Sequence, residues 1–452
     1  MTQPTLLMTA RKSALLDDHD NTLDLLVQVQ APDLPENELQ VRPPMNVSFV
    51  LDRSGSMNGR PLEEAKRCAC SMIDGLTRND RASVIAYDGD VDTVIAARQV
   101  TDPQLFHRQI EAIESRGQTN LHGGWLKGAG EVSDGLDTGQ VARVILLSDG
   151  MANVGLRDPF AIAEQCREMA SAGVSTSTYG IARQFNEELM VEMAQAGGGN
   201  HYFGELAEDL LEPFREEFSL LQALCARSVR LNLRPADGIR FELLNNYRRN
   251  PDGTINLPDL AYEGEAWAVV RLTIPKAALE QRDVNGNVTL LEASVSYKNL
   301  DGVEQHLPKT WFTLPLLPAD AWRAVADDQL VDRRAGELEA AAYQLQARRA
   351  AREHNWEEVA RLLSEAKERA ENNPWIAESI TALEEMAARQ DNVMFMKEAL
   401  YSSSKMHSRL ADKHELRNDS AGMRESGKEG YLRRKRRQGK SQFGDGDNPS
   451  SG

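Results

Sequence analysis

From residue 45 to residue 203, short and nearly continuous apolar runs alternate with longer stretches in which apolar residues recur every three or four positions. The short runs read as buried strands and the longer ones as amphipathic helices, the rhythm of a parallel sheet covered by helices on both faces. Strands are predicted over 46–51, 82–87, 93–96, 142–147, 174–180 and 201–203, and helices over 62–76, 103–113, 121–132, 159–172 and 186–196. Ahead of this stretch, residues 22–31 alternate at Leu23, Leu25, Val27 and Val29, with Leu26 as the exception. They read as a strand, and Pro32, Pro35, Pro43 and Pro44 then break the chain.

The pattern changes again after a helix predicted over 205–226. Residues 228–317 carry no long helical period, and strands at 228–233, 266–274 and 290–297 are separated by the turn signals Pro251-Asp252-Gly253 and Asn285-Gly286. An antiparallel β-sandwich is expected there, its sheet completed by the early strand at 22–31, so that the α/β domain is inserted in the sandwich. From 319 to 400 the chain is rich in Ala, Glu, Leu and Arg, with Val359, Leu362, Leu363 and Ala366 at helical spacing and Pro374 dividing the helices. The last forty residues are polar, rich in Gly and Ser, and basic at Arg433, Arg434, Lys435, Arg436 and Arg437; they are expected to be disordered. The organisation that follows is N-terminal sandwich strands (1–44), α/β domain (45–204), connecting helix (205–227), sandwich (228–317), helical domain (318–400) and tail (401–452).

Composition narrows the function. A chain of 452 residues is long for a single core, and 41% hydrophobic content is enough for several. A formal charge of −17 argues against nucleic acid as the partner. Residues 1–13 lack the apolar run of a secretory signal and no stretch has the length of a membrane span, so a cytoplasmic protein is expected. Four cysteines make no disulfide framework, and Cys68 and Cys70, two apart on a predicted helix, point to different faces as small buried hydrophobes.

The chemistry gathers at strand ends. The strand at 46–51 runs into Asp52-Arg53-Ser54-Gly55-Ser56, and the strand at 142–147 runs into Ser148-Asp149-Gly150; Gly117-Gln118-Thr119-Asn120 precedes a helix between them. Open α/β sheets bind ligands at the carboxyl ends of their strands. Two carboxylates and three hydroxyls suit a hard cation, Mg²⁺ in the first instance with Mn²⁺ or Ca²⁺ as substitutes, and leave a coordination position open. These residues closely resemble the von Willebrand factor type A family, whose metal-ion-dependent adhesion site reads Asp-x-Ser-x-Ser, then a Thr, then an Asp followed by Gly. The resemblance covers about 45–203 and implies that Asp52, Ser54, Ser56, Thr119 and Asp149 hold the metal, directly or through water. Ser148 stands where many relatives have Thr, a change expected to be harmless because it is not a ligand. More loosely, the flanking sandwich is similar to bacterial relatives of calcium-activated chloride channel regulators and inter-alpha-trypsin inhibitor heavy chains.

Other features take plainer readings. Asp88, Asp90 and Asp92 lack the Gly and Glu of a helix-loop-helix calcium loop and read as a solvated turn between strands. His122 reads as a helix-start residue, Gly197-Gly198-Gly199 as a helix end, and 348–375 as a packed helical hairpin with a faint tetratricopeptide likeness. The function expected is a non-enzymatic, Mg²⁺-dependent module that takes an acidic residue of a protein partner. By resemblance, such modules act beside AAA+ ATPases or kinase and phosphatase systems. A Mg²⁺-dependent phosphohydrolase is the first alternative, but the position two residues after Asp52, where an acid/base carboxylate would stand, is Ser54. A membrane-surface scaffold using the basic tail is the second. The resemblance also links ligand binding to movement of the last helix of the α/β domain, at 186–196 or just after. From its position between the two domains, the helix at 205–226 is expected to pass such a change to the sandwich.

Overall fold

The computed structural model describes residues 3–33, 42–137, 139–149, 152–181, 186–204, 211–247, 249–369, 373–408 and 411–412. Three strands come first: β1 (Thr5–Ala10), β2 (Leu15–Leu16) and β3 (Asn21–Gln30). The α/β body follows as β4 (Met45–Asp52), α1 (Arg60–Gly75), β5 (Arg81–Tyr87), β6 (Val91–Gln99), α2 (Pro103–Glu111), α3 (Leu121–Ser133), β7 (Val141–Ser148), α4 (Pro159–Ser171), β8 (Val174–Ile181), α5 (Glu187–Ala196), β9 (Gly198–Gly204) and α6 (Leu211–Gln222). Its sheet has the order β6-β5-β4-β7-β8-β9. Every residue of β4 and of β7 is buried, because helices lie on both faces. Phe49 and Leu51 pack with α1 and α2, whereas Val50, Val144 and Leu146 pack with α3, α4 and α5. Helix α3 comes unusually close: a Cβ at Gly128 would lie 2.4 Å from Val50, and one at Gly124 equally close to the Tyr87 ring.

Two expectations need correction here. The strand predicted at 93–96 belongs to β6, and it runs antiparallel to β5. A connection as short as Asp88–Asp90 cannot make the crossover of a dozen or more residues that a parallel return requires. The helix predicted over 205–226 ends at Gln222, and a strand starts at Leu224. Leu224, Ala226, Val229, Leu231 and Leu233 are buried in the near-alternating order of a strand, with a bulge between Arg227 and Arg230 and a positive φ of 50° at Ser228. Residues 205–210 lie outside the described residues.

The second β region comprises β10 (Leu224–Pro235), β11 (Arg240–Leu243), β12 (Ile255–Asn256), β13 (Leu260–Ala261), β14 (Gly264–Ile274), β15 (Asn287–Lys298), β16 (Glu304–His306) and β17 (Thr310–Leu317). Strand β3 pairs antiparallel with β14 over its whole length, giving the sheet β1-β3-β14-β11. A second sheet, β12-β10-β15-β17-β2, shares one apolar core with the first: Leu25, Val27, Ala268 and Val270 from one side, Leu231, Leu290 and Val295 from the other.

Helices α7 (Ala319–Arg323), α8 (Gln329–Arg352), α9 (Trp356–Arg369), α10 (Pro374–Ala388) and α11 (Asn392–Ser408) complete the chain, with a two-residue strand β18 (Ala411–Asp412) pairing to the start of β14. The helical region therefore runs eight residues past 400, into what reads by composition as tail; residues 413–452 lie outside the described residues. The start of α8 covers the outer face of the first sheet, where Val331, Ala335 and Leu338 meet Leu26, Trp267 and Val269. Its other end and α11 reach the α/β body. Arg348 Nη2 lies 3.0 Å from Glu188 and 3.4 Å from Glu187 at the start of α5, and Gln195 Nε2 donates to Ser404 Oγ at 2.8 Å. Among the described residues no helix is long and apolar enough to cross a membrane.

Candidate metal centre

Strand β4 delivers Asp52 to the carboxyl edge of the sheet with its carboxylate wholly buried. One oxygen, Oδ1, accepts the backbone N–H of Ser54 at 2.8 Å, and Oδ2 accepts the Ser148 hydroxyl at 2.6 Å. The chain turns over Gly55–Met57 in a single 3₁₀ turn that brings Ser54 Oγ and Ser56 Oγ to 3.2 Å. Ser56 Oγ then donates to Asp149 Oδ1 at 2.8 Å, across from the end of β7. Four of the five residues singled out by sequence thus form one hydrogen-bonded chain, with Ser148 as an additional member.

The fifth, Thr119, is buried on the loop that leads into α3. Its N–H donates to Asn153 Oδ1 at 2.9 Å, and its carbonyl accepts from the N–H groups of Asn153 and Val154 at 3.1 and 3.2 Å. The same loop meets the first one where Gly55 N–H donates to the Gly117 carbonyl at 3.2 Å.

The electrostatics of this edge are unusual. Burial pushes the carboxyl of Asp52 upward, against the hydrogen bonds from Ser148 and Ser54. Burial also raises Asp149 to about 6, opposed by the Ser56 bond and reinforced by the charge of Asp52. Among the described residues neither carboxylate is paired with a Lys or Arg. Two carboxylates thus lie within electrostatic reach in a desolvated place with hydroxyls beside them, an all-oxygen donor set of the kind that hard divalent cations take. Among the described residues no three His, Cys, Asp or Glu side chains gather as a metal cluster, at this edge or elsewhere; the donor set here is two carboxylates with hydroxyls.

Sequence reasoning missed the surroundings. Ser148 is no bystander, since its hydroxyl fixes one oxygen of Asp52. Tyr87, at the end of β5, is fully buried, and its ionisation is pushed far up by burial and then by the charge of Asp52. The turn of Asp88, Asp90 and Asp92 is not simply solvated. Asp88 is 3% exposed, and Asp88 and Asp92 bind Arg53 and Arg116. The alternating acids at the end of a buried strand, together with an arginine within each of the two site loops, were the available signal. His122 is engaged by Gln165 on α4, its Nε2 lying 2.8 Å from Oε1. Cys68 is buried, with its thiol pushed up to about 12, and Cys70 is half-buried at about 11, as desolvated thiols should be.

Residues 46–216 match the model of the von Willebrand factor type A domain. An uncharacterized protein of Synechocystis sp. is 31% identical over 181 residues, covering 39% of this chain and 41% of its own. Human inter-alpha-trypsin inhibitor heavy chain H3 is 29% identical over 164 residues, 34% of this chain and 18% of that one. The chain therefore spans less than half the length of these relatives. A solved structure titled von Willebrand factor type A from Catenulispora acidiphila aligns over 90% of this chain and 98% of its own, with a TM-score of 0.69 at 15% identity. That likeness is one of fold, and it extends beyond the α/β body to the other sheets and the helices.

Proposed function

Because residues 46–216 are a von Willebrand factor type A domain, we propose that the chain is a non-enzymatic, cytoplasmic interaction module that binds protein partners through a divalent cation, Mg²⁺ in the first instance. Ser54, Ser56 and Thr119 would supply hydroxyls, and Asp52 and Asp149 carboxylates. When bound, the cation presents an open position to an acidic side chain of the partner. The protein's own groups do the rest: Ser148 and the Ser54 amide orient Asp52, and Ser56 tethers Asp149.

One observation carries this reading. Two buried carboxylates, joined through the Ser54 amide and the serine hydroxyls, stand without any basic side chain to offset them among the described residues. Buried carboxylates usually carry such a partner, and a divalent cation supplies it. The loops that carry the donors come from three separate chain segments, so the cation would also tie them together.

Calorimetric titration of the full chain with Mg²⁺ and Mn²⁺ tests the proposal. Saturating metal, at about one hundred times its dissociation constant, should stabilise the fold by about 2.7 kcal/mol. Asp149→Ala should abolish both the binding heat and the stabilisation. A wild-type protein that takes up no divalent ion, or a variant that binds as well as the wild type, would overturn it. Capture of partners in Mg²⁺ but not in chelator, and not by the variant, extends the test to recognition.

A further inference from the structure

We propose that Asp88 is a positioning residue of the metal face: through Arg53 and Arg116 it holds the loop carrying Thr119 against the loop carrying Asp52, Ser54 and Ser56, a role whose purpose presupposes the cation-binding reading above. Asp88 closes β5 and is not a member of the donor set. Its Oδ2 lies 2.7 Å from Arg116 Nε and 3.3 Å from Arg53 Nε. Asp92 Oδ2, at the start of β6, takes the other arms, at 2.5 Å from Arg53 Nη2 and 2.9 Å from Arg116 Nη2. Arg53 stands between Asp52 and Ser54, and Arg116 three residues before Thr119. Two guanidinium forks on two carboxylates fix direction as well as charge, which a pair of lysines would not do.

The backbone repeats the same junctions. Arg53 N–H donates to the Tyr87 carbonyl at 2.9 Å, Arg116 N–H to the Arg53 carbonyl at 2.7 Å, and Asn120 N–H to the Asp88 carbonyl at 2.7 Å. Ser115 Oγ donates to the Ser54 carbonyl at 2.8 Å. Gly117, at φ 74°, passes so close that a Cβ would stand 3.2 Å from the Asp88 side chain. The loop from 112 to 120 has no helix or strand of its own. Fixing a free loop costs backbone entropy at every residue it orders. A donor on an unanchored loop would charge that cost to every metal-binding event, whereas Asp88 has the loop ordered beforehand. Asp88 is held ionised for this task, its carboxyl lowered by the Asp90 amide, Arg116 and Arg53 against the effect of burial.

The test compares the full-length protein with Asp88→Asn, Arg116→Met and Arg116→Lys. Mn²⁺ affinity is read by spectroscopic titration, and hydrogen exchange of residues 115–120 is read in chelator. Asp88→Asn and Arg116→Met should each weaken Mn²⁺ binding by about tenfold, the effect of losing a charge-assisted hydrogen bond. Both should speed exchange in the Thr119 loop while leaving β4 and β7 protected, and Arg116→Lys should recover part of both effects. Affinity and loop exchange within twofold of the wild type in both variants would overturn the inference. A wild type that binds no Mn²⁺, with loop exchange still responding to the variants, would instead overturn the cation reading and leave the loop coupling in place. Should Asp88→Asn fail to fold, Arg116→Met carries the test alone, because that side chain is 57% exposed.

Discussion

At the scale of single residues, the proposed metal face turns on side chains that are not themselves candidate donors. Ser148 looks interchangeable in the sequence, yet it holds Asp52 Oδ2 at 2.6 Å in a place without solvent. Ser148→Ala should lower the stability of the metal-free protein by about 1–3 kcal/mol, the usual effect of stranding a buried acceptor. Ser148→Thr, which keeps the hydroxyl, should restore it. Urea unfolding of the three proteins in chelator decides the matter, and an alanine variant as stable as the wild type would show the bond to be idle. The proposed donors were legible as candidates because Asp-x-Ser-x-Ser, Thr119 and Asp149 stand out by type and by position at strand ends or in the loop between them. Ser148 and Asp88 were not, because their roles arise from strand pairing across β4, β5 and β7, which no local spacing encodes.

Among the elements, legibility follows how many faces a strand buries. Strands β4 and β7 bury both faces and appear as unbroken apolar runs, and they were placed to within a residue or so at each end. In β3 the lone break in alternation, Leu26, looks like noise in the sequence, but it is the residue that faces α8 while Leu25 and Val27 face the sandwich core. The edge strand β1 gave no such signal, since all but one of its residues are exposed or only partly buried. Helix α11 outlasted its composition because its end is anchored: Asn246 N–H donates to His407 Nδ1 at 3.1 Å, and Asn245 Nδ2 to the His407 carbonyl at 3.0 Å. Burial lowers His407 from 6.5 to about 4, so the folded state keeps it neutral. Its contribution is complete above pH 6.5 and is lost as the pH falls toward 4, because the unfolded chain takes up the proton first. The resulting slope, at most about 1.4 kcal/mol per pH unit, should appear in urea unfolding between those limits. It should flatten in His407→Gln, which can still accept from Asn246. An equal slope in the variant would place the proton uptake elsewhere.

For the molecule as a whole, the helical layer joins the other two parts. It covers Leu26, Trp267 and Val269 on the sheet, with Arg334 stacked 4.6 Å from the Trp267 ring, and it reaches α5 through Arg348 and Arg352, both on Glu188. A chain ended at residue 318 would bare this apolar face. It should bind a hydrophobic dye and self-associate in size-exclusion chromatography; a monomer with no added dye binding would show the layer to be dispensable. The pairing of β3 with β14 bears on how the protein is made. Gln30 waits for Glu265, 235 residues further along. At ordinary ribosomal speed that separation lasts on the order of ten to fifty seconds. For that interval Leu25, Val27 and Val29 wait without the strand that will pair with theirs, and before it ends every strand of the α/β sheet has been made. The segments that carry the proposed donors are therefore all made before the first long strand has a partner to pair with.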